Sequence, residues 1–225
     1  MGIREEHAKS MEYWDGRAKQ WSKSSPSVSY LALFYEAWKN KLESPLLDIG
    51  CGSGNCLYRA ASGGRTDIYG FDISPKLVDI AREKLRPFLV EETDKRIVAL
   101  DMLDLSLHFS RGFFKSLIFS GVLQQTLYSG ARSTLQQIAD VSASGAIMYF
   151  STRSISIHPS NAMPVEGEKG TYRLPDGAVK TYYSRDSIEE LIEGLFEIVG
   201  LDEKPQTEKI SGEEILNWEG VLRKI

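Results

Sequence analysis

Between residues 45 and 152, short apolar runs alternate with helical stretches, and this alternation most limits what the chain can become. PLLDIG, DIYGFDIS (67–74), RIVALD (96–101), FFKSLIFSG (113–121) and AIMYFST (146–152) each read as a buried strand closed by a glycine, an acid or a small polar residue. NCLYRAAS, ended by Gly63 and Gly64, reads as helix, as do PKLVDIAREKL opened by Pro75 and residues 131–142. Strands spaced by helices predict a parallel, doubly wound α/β sheet.

The flanks differ from this core. Residues 5–22 and about 28–42 read as two helices, with Tyr13, Trp14 and Trp21 set among charges in the first. Residues 153–184 hold Pro159, Pro164 and Pro175, and TYRL-PDGA-VKTYY predicts a β-hairpin inserted as a flap. A helix at about 185–194, a strand near 196–201 and a last strand WEGVLRKI follow. The expectation is one domain over 1–225. It comprises a helical cover (1–44), a core (45–152), a flap (153–184) and a C-terminal helix with strands (185–225).

A chain of 225 residues can bury a full core without staples. It has no run of about 18 apolar residues, and its start, MGIREEHAKSMEYW, has no apolar segment of the secretory kind, so neither a membrane partner nor secretion is expected. Its two cysteines, Cys51 and Cys56, stand too close for an unstrained bridge and too few for zinc. They read as free thiols in a reducing, cytoplasmic setting, and no metal site is expected. The net charge of −4, with basic residues scattered, disfavours nucleic acid and favours a small-molecule partner.

LLDIGCGSGN places Gly50, Gly52 and Gly54 at alternate positions behind the first strand. In a doubly wound sheet, ligands bind beyond the carboxyl ends of the strands, at the switch point. The dinucleotide fingerprint G-x-G-x-x-G would need a third glycine where Asn55 stands, which argues against a pyrophosphate ligand. Asp72 closes the second run, where a carboxylate can accept both ribose hydroxyls. Asp101 closes the third, placed to accept from an adenine amino group while the Met102 N–H donates to a ring nitrogen. Ile73 and Leu77 can sandwich the base. Taken singly, each feature is also ordinary turn or cap chemistry.

In this order, LLDIGCGSGN, YGFDIS, VALDMLDL and LIFSGVLQQ resemble the sequential motifs of class I S-adenosylmethionine-dependent methyltransferases, and WEGVLRK is similar to that family's last strand. The resemblance implies a Rossmann-like, seven-stranded, mostly parallel sheet with an antiparallel last strand, and S-adenosyl-L-methionine as cofactor. It implies that Gly50 and Cys51 line the methionine moiety, that Asp48 organises the loop beneath it, and that Ser120 and Gly121 lie near the sulfonium. Many relatives carry an N-terminal helix over the cofactor, which EYWDGRAKQW resembles. Tyr13 and Trp14 then close the site and Arg17 pairs with the methionine carboxylate, or these residues simply dock the helix on the core.

The acceptor is less legible. Where many small-molecule relatives carry a histidine, this chain has Gln124 and Gln125, which cannot act as bases, and no catalytic residue is assigned. The Asn/Asp-Pro-Pro-Tyr/Phe ending of nucleobase and protein-glutamine methylators is absent. Tyr128, Tyr172, Tyr182 and Tyr183 are candidates to line the acceptor pocket, although hairpin alternation puts some of them on the outer face, so not all can. His158 is either beside the acceptor or a plain loop residue, whereas His7 is placed before the cover helix and His108 in a loop. The reading is an enzyme, monomer or homodimer, that methylates a small molecule. The alternatives are RNA or protein methylation, a silent cofactor-binding scaffold or partner subunit, and a nicotinamide-dependent oxidoreductase.

Overall fold

The structure, a computed structural model, describes residues 2–22, 41–157, 160–207 and 214–225. A seven-stranded sheet runs in the order β3-β2-β1-β4-β5-β10-β9. Its strands are β1 (Leu46–Ile49), β2 (Ile68–Asp72), β3 (Ile97–Ala99), β4 (Phe114–Ser120), β5 (Ser142–Arg153), β9 (Phe196–Thr207) and β10 (Glu214–Lys224). β1 pairs in parallel with β2 and β4, and β10 pairs antiparallel with both β5 and β9. The chain leaves β1 outward to β2 and β3, then returns to β4 on the opposite side of β1. That reversal opens a crevice at the carboxyl ends of β1 and β4.

The strands alternate between two buried layers. Leu47 and Ile49 join Phe119, Phe150 and Ile138 on one side, while Leu46 joins Leu57, Val78, Leu85 and Ile118 on the other. Among the described residues the longer helices are α1 (Ile3–Ser22), α2 (Asn55–Ser62), α3 (Pro75–Leu89), α4 (Tyr128–Val141) and α5 (Arg185–Ile192). Local chemistry sets their starts. Pro75 opens α3 where its missing N–H costs nothing, and Ser74 caps it by accepting from the Leu77 N–H at 3.2 Å. Ser184 caps α5 in the same way.

The flap is richer than a hairpin. β7 (Thr171–Arg173) and β8 (Val179–Thr181) form the expected ribbon around the Pro175–Asp176–Gly177 turn, and β6 (Met163–Pro164) adds a third antiparallel strand. The third strand of the main sheet ends at Ala99 rather than Asp101, because the Asp101 carboxylate turns back to cap the following helical turn, accepting from the Leu103 N–H. The last strand begins at Glu214 and lies between β5 and β9. The helix expected at about 28–42 falls almost wholly outside the described residues.

α1 lies across one end of the sheet and is fastened to the flap. The Arg173 guanidinium meets both oxygens of buried Glu6 at 3.3 Å. Tyr13 Oη and Arg17 Nη2 both donate to Asp176 Oδ2 at 2.9 Å, with the Arg17 guanidinium stacked 3.9 Å over the Tyr13 ring.

Candidate active site

The three glycines behind β1 are there for different reasons, although all have positive φ (65°, 53° and 73°). A Cβ on Gly50 would overlap the Val122 methyls, so this glycine lets the loops after β1 and β4 close together. A Cβ on Gly54 would stand 2.9 Å from Ala81 Cβ, so this one seats α2 against α3. A Cβ on Gly52 would meet nothing within 4 Å among the described residues, leaving that face of its Cα open to close approach. Lys84 of α3 braces the loop, with Nζ donating to the Ser53 carbonyl at 2.7 Å and to Asn55 Oδ1 at 2.5 Å. Asn55 thus does work where a dinucleotide loop has glycine.

Two carboxylates lie under this loop. Asp72 Oδ2 accepts from the Gly52 N–H and Oδ1 from the Ser74 N–H, both at 2.9 Å, and the Ile73 N–H acts on the same carboxylate. Burial raises its pKa, against the pull of those amides. Asp48 is also buried, and burial together with the Asp72 charge pushes it up to about 8. Cys51 and Cys56 are free and buried, and burial raises both thiol pKa values. Beside Asp72, Ile73 is half-buried and Leu77 is buried in the first turn of α3. Asp15 of α1 reaches the same edge, accepting from Ser74 Oγ at 2.5 Å and from the Lys76 N–H at 3.2 Å.

On the other side of β1, Ser120 Oγ pairs with Ser151 Oγ at 2.8 Å, and the Gly121 N–H donates to the Ser151 carbonyl at 3.0 Å. Both glutamines converge on Gly121. Gln125 Nε2 reaches its carbonyl at 3.5 Å, and the Gln124 amide packs beside it. Gln124 is 7 % exposed, yet its Oε1 is buried with no hydrogen-bond partner among the described residues.

Asp101 is more heavily engaged than its sequence position implies. His7 lies within α1 rather than before it, and its Nδ1 sits 2.9 and 3.0 Å from the two Asp101 oxygens. Burial opposes ionisation of Asp101 most strongly, but the His7 and Leu103 hydrogen bonds and the charge of Arg4 together hold it below the usual carboxylate range. Arg4 also grips Asp104 at 3.0 and 2.7 Å. Met102 is buried beside this group.

The remaining candidates scatter. Arg17 is held by Asp176. Tyr128 points its hydroxyl toward Glu190 (3.4 Å) and Lys169 (3.5 Å), both on the surface. Tyr183 is fully buried, donating to the Leu123 carbonyl, and Tyr182 is buried edge-to-face against Tyr172, so Tyr182 and Tyr183 are core residues rather than pocket lining. His108 is exposed, and His158 lies outside the described residues. His7, Lys84 and Asp176 had no signal in the sequence, because their partners are 29 to 163 residues away. Among the described residues no group of three or more His, Cys, Asp or Glu could hold a metal, and no helix is long and apolar enough to cross a membrane.

A family model described as a methyltransferase domain matches residues 40–180. No curated protein matches the chain. Among solved structures, an S-adenosylmethionine-dependent methyltransferase from Methanosarcina mazei superposes with a TM-score of 0.70 at 22% identity, over 85% of this chain and 98% of that one. The Burkholderia thailandensis 1,6-didemethyltoxoflavin-N1-methyltransferase, with 1,6-didemethyltoxoflavin and S-adenosylhomocysteine bound, gives 0.70 at 14% identity over 100% and 91%. The magnesium protoporphyrin IX methyltransferase of Synechocystis, with S-adenosylmethionine bound, gives 0.65 at 14% identity over 98% and 97%. At these identities the likeness establishes the fold.

Proposed function

Because the chain belongs to the methyltransferase domain family, we propose that it moves the methyl group of S-adenosylmethionine directly to a small-molecule acceptor. The observation that carries this reading is Asp72, whose two carboxylate oxygens are clamped by the Gly52 and Ser74 amides beside the open face of Gly52. That pair of acceptors suits a ribose diol. Asp101 and Met102 take the adenine edge, and Ile73 and Leu77 flank the ring. Gly50, Cys51, Gly52, Gly54 and Asp48 face the methionine portion, with Ser120 and Gly121 near its sulfur. Tyr13 and Arg17 close the cover, and Gln124 and Gln125 belong to the acceptor side.

When bound, S-adenosylmethionine supplies an electrophilic methyl group on a sulfonium. The chain's own residues align the acceptor in line with that group and exclude water, which is worth several kcal/mol when the approach is well set. No covalent enzyme intermediate is needed. With the cofactor bound, the C–S bond would break as the bond to the acceptor formed, leaving a neutral thioether, and a proton carried by the acceptor atom would pass to bulk solvent as the product left the closed site.

A small acceptor is supported by the flap latched onto α1, which suits an enclosed pocket, and by the net charge of −4, which does not suit RNA. Two of the structural relatives are named for small-molecule acceptors. The same reading makes 1–225 one catalytic unit, a monomer or homodimer in the cytoplasm. Its free buried thiols fit a reducing compartment.

The test is calorimetric titration with S-adenosylmethionine, S-adenosylhomocysteine and NAD, followed by transfer from labelled cofactor to a panel of small acceptors. Micromolar binding of the two sulfur compounds and none of NAD is expected. Failure of both to bind would overturn the catalytic reading and leave a scaffold or partner subunit. Binding with transfer only to RNA or protein would overturn the acceptor class.

A further inference from the structure

His7 is 2 % exposed and both its ring nitrogens are engaged. Nδ1 faces the Asp101 carboxylate, so it carries the proton and donates. Nε2 lies 3.1 Å from Thr126 Oγ1, whose hydroxyl can donate to it. Beyond Thr126 the chain of contacts continues into the flap. Thr181 Oγ1 of β8 stands 2.6 Å from the Thr126 carbonyl and 2.8 Å from Thr171 Oγ1 of β7.

The two ends of the His7–Asp101 pair differ in access. The Asp101 side chain is 16% exposed and the His7 side chain 2%. Asp101 Oδ1 accepts from both Leu103 N–H and His7, whereas Oδ2 receives His7 at 3.0 Å and has only a distant Arg4, at 3.8 Å, beside it. One carboxylate oxygen therefore keeps a lone pair on its open side. His7 has no open side, and it acts on a ligand only through Asp101.

We propose that His7 is a positioning residue, which sets the Asp101 carboxylate to read the amino group of the cofactor's adenine and ties that contact through Thr126 to the flap. The inference rests on the reading of Asp101 as an adenine partner. The physical reason is orientation. A capping carboxylate can rotate about its Cβ–Cγ bond, and the single Leu103 amide does not fix it. A donor bridging both oxygens does, as an imidazole held between two partners commonly fixes the group it faces. A buried imidazole is a costly way merely to dock a helix, since every polar atom it carries must find a partner.

The experiment measures a ratio by calorimetry, the affinity for S-adenosylhomocysteine over that for S-inosylhomocysteine, in which a carbonyl replaces the purine amino group. A carbonyl facing Asp101 loses the hydrogen bond and repels the carboxylate, so the wild-type ratio should be tenfold or more. His7→Asn, whose amide occupies the Nδ1 side, should keep the ratio within twofold of wild type. His7→Gln, whose amide reaches the Thr126 side, should reduce it to threefold or less while leaving the inosine analogue's affinity nearly unchanged. The ratio is unaffected by any fraction of unfolded protein. Equal weakening of both ligands in His7→Gln, or an unchanged ratio, would leave His7 a helix-docking residue and overturn the proposal. A wild type that binds both ligands equally would overturn it together with the adenine assignment of Asp101. A wild type that binds neither would overturn the cofactor reading itself.

Discussion

Arg17 of α1 donates to Asp176 in the flap turn at 2.9 Å, although Arg17 is the side chain expected to meet the cofactor's carboxylate. Cover and flap are thus held to each other before any ligand is considered, and their two latches differ in burial. Arg17 and Asp176 are each about a third or more exposed, a setting in which an ion pair is worth roughly 0–1 kcal/mol. Glu6 is buried, and without Arg173 it would keep only Lys9, at 3.8 Å. Arg17→Met removes that exposed pair while leaving Asp176 its bonds to Tyr13 and the Ala178 N–H, and should therefore cost no more than about 1 kcal/mol of stability while raising the acceptor KM several-fold. Arg173→Met should cost about 3 kcal/mol, the scale for stranding a buried charge. Urea unfolding of the two variants side by side checks the order. Equal costs would mean that Glu6 is solvated once its partner is gone.

The glycines of the loop after β1 give a second ordering. Gly52→Ala meets open space and suffers only the left-handed backbone, about 1–2 kcal/mol. Gly54→Ala has the same backbone penalty and also drives a methyl to 2.9 Å from Ala81 Cβ and 3.2 Å from its Cα, so it should cost about 1–3 kcal/mol more. Cofactor affinity should fall in the opposite order, since Gly52 is the one with the open face. Denaturation and calorimetry on the same two proteins read both orders.

Asp48 makes stability depend on pH. Burial first, and the Asp72 charge second, raise it to about 8, whereas in the unfolded chain it ionises near 4. Between those values the folded state holds a proton that the unfolded state has lost. Stability therefore falls as pH rises through that window, by at most about 1.4 kcal/mol per pH unit, and levels off above it. Asp48→Asn removes this slope. Its melting temperature should match wild type near pH 4 and exceed it by at least about 2–4 °C at pH 8, the shift expected for ~1 kcal/mol in a chain of this size. Parallel melting curves for both proteins from pH 4 to 9 would mean that Asp48 ionises normally.

What the sequence could disclose is local. PLLDIG carries its strand because every residue of Leu46–Ile49 is buried, and the Pro75 start of α3 follows from proline's own geometry. Asp72 was legible because a strand end and a helix cap coincide there. Asp101 was only half legible: its position was clear, but not that it would cap a turn and bind His7, 94 residues earlier. Lys84 and Asp176 were invisible for the same reason, since no periodicity records which distant side chains meet. The order of β9 and β10 is likewise a pairing choice between strands, and neither strand's composition encodes it. Tyr182 and Tyr183 are buried, whereas hairpin alternation says only that the tyrosines divide between faces and not which of them takes which.

Gln124 separates stability from function most cleanly. Its Oε1 is buried without a partner among the described residues, a state that costs about 1–3 kcal/mol and that a leucine of similar volume would not share. If the side chain served only packing, Gln124→Leu would stabilise the fold and leave turnover alone. The Gln124 amide, however, lies beside Gly121 with its Nε2 toward the glycine, and on the proposed function it is this amide group that meets the molecule being methylated. Gln124→Leu should then unfold no earlier than wild type, and up to about 4 °C later. It should bind S-adenosylhomocysteine as wild type does and show at least a tenfold higher KM for the acceptor, once the labelled-cofactor screen has identified one. A variant that is stabilised and fully active would remove Gln124 from the acceptor site, and one that is destabilised would show that its oxygen has a partner in the folded protein.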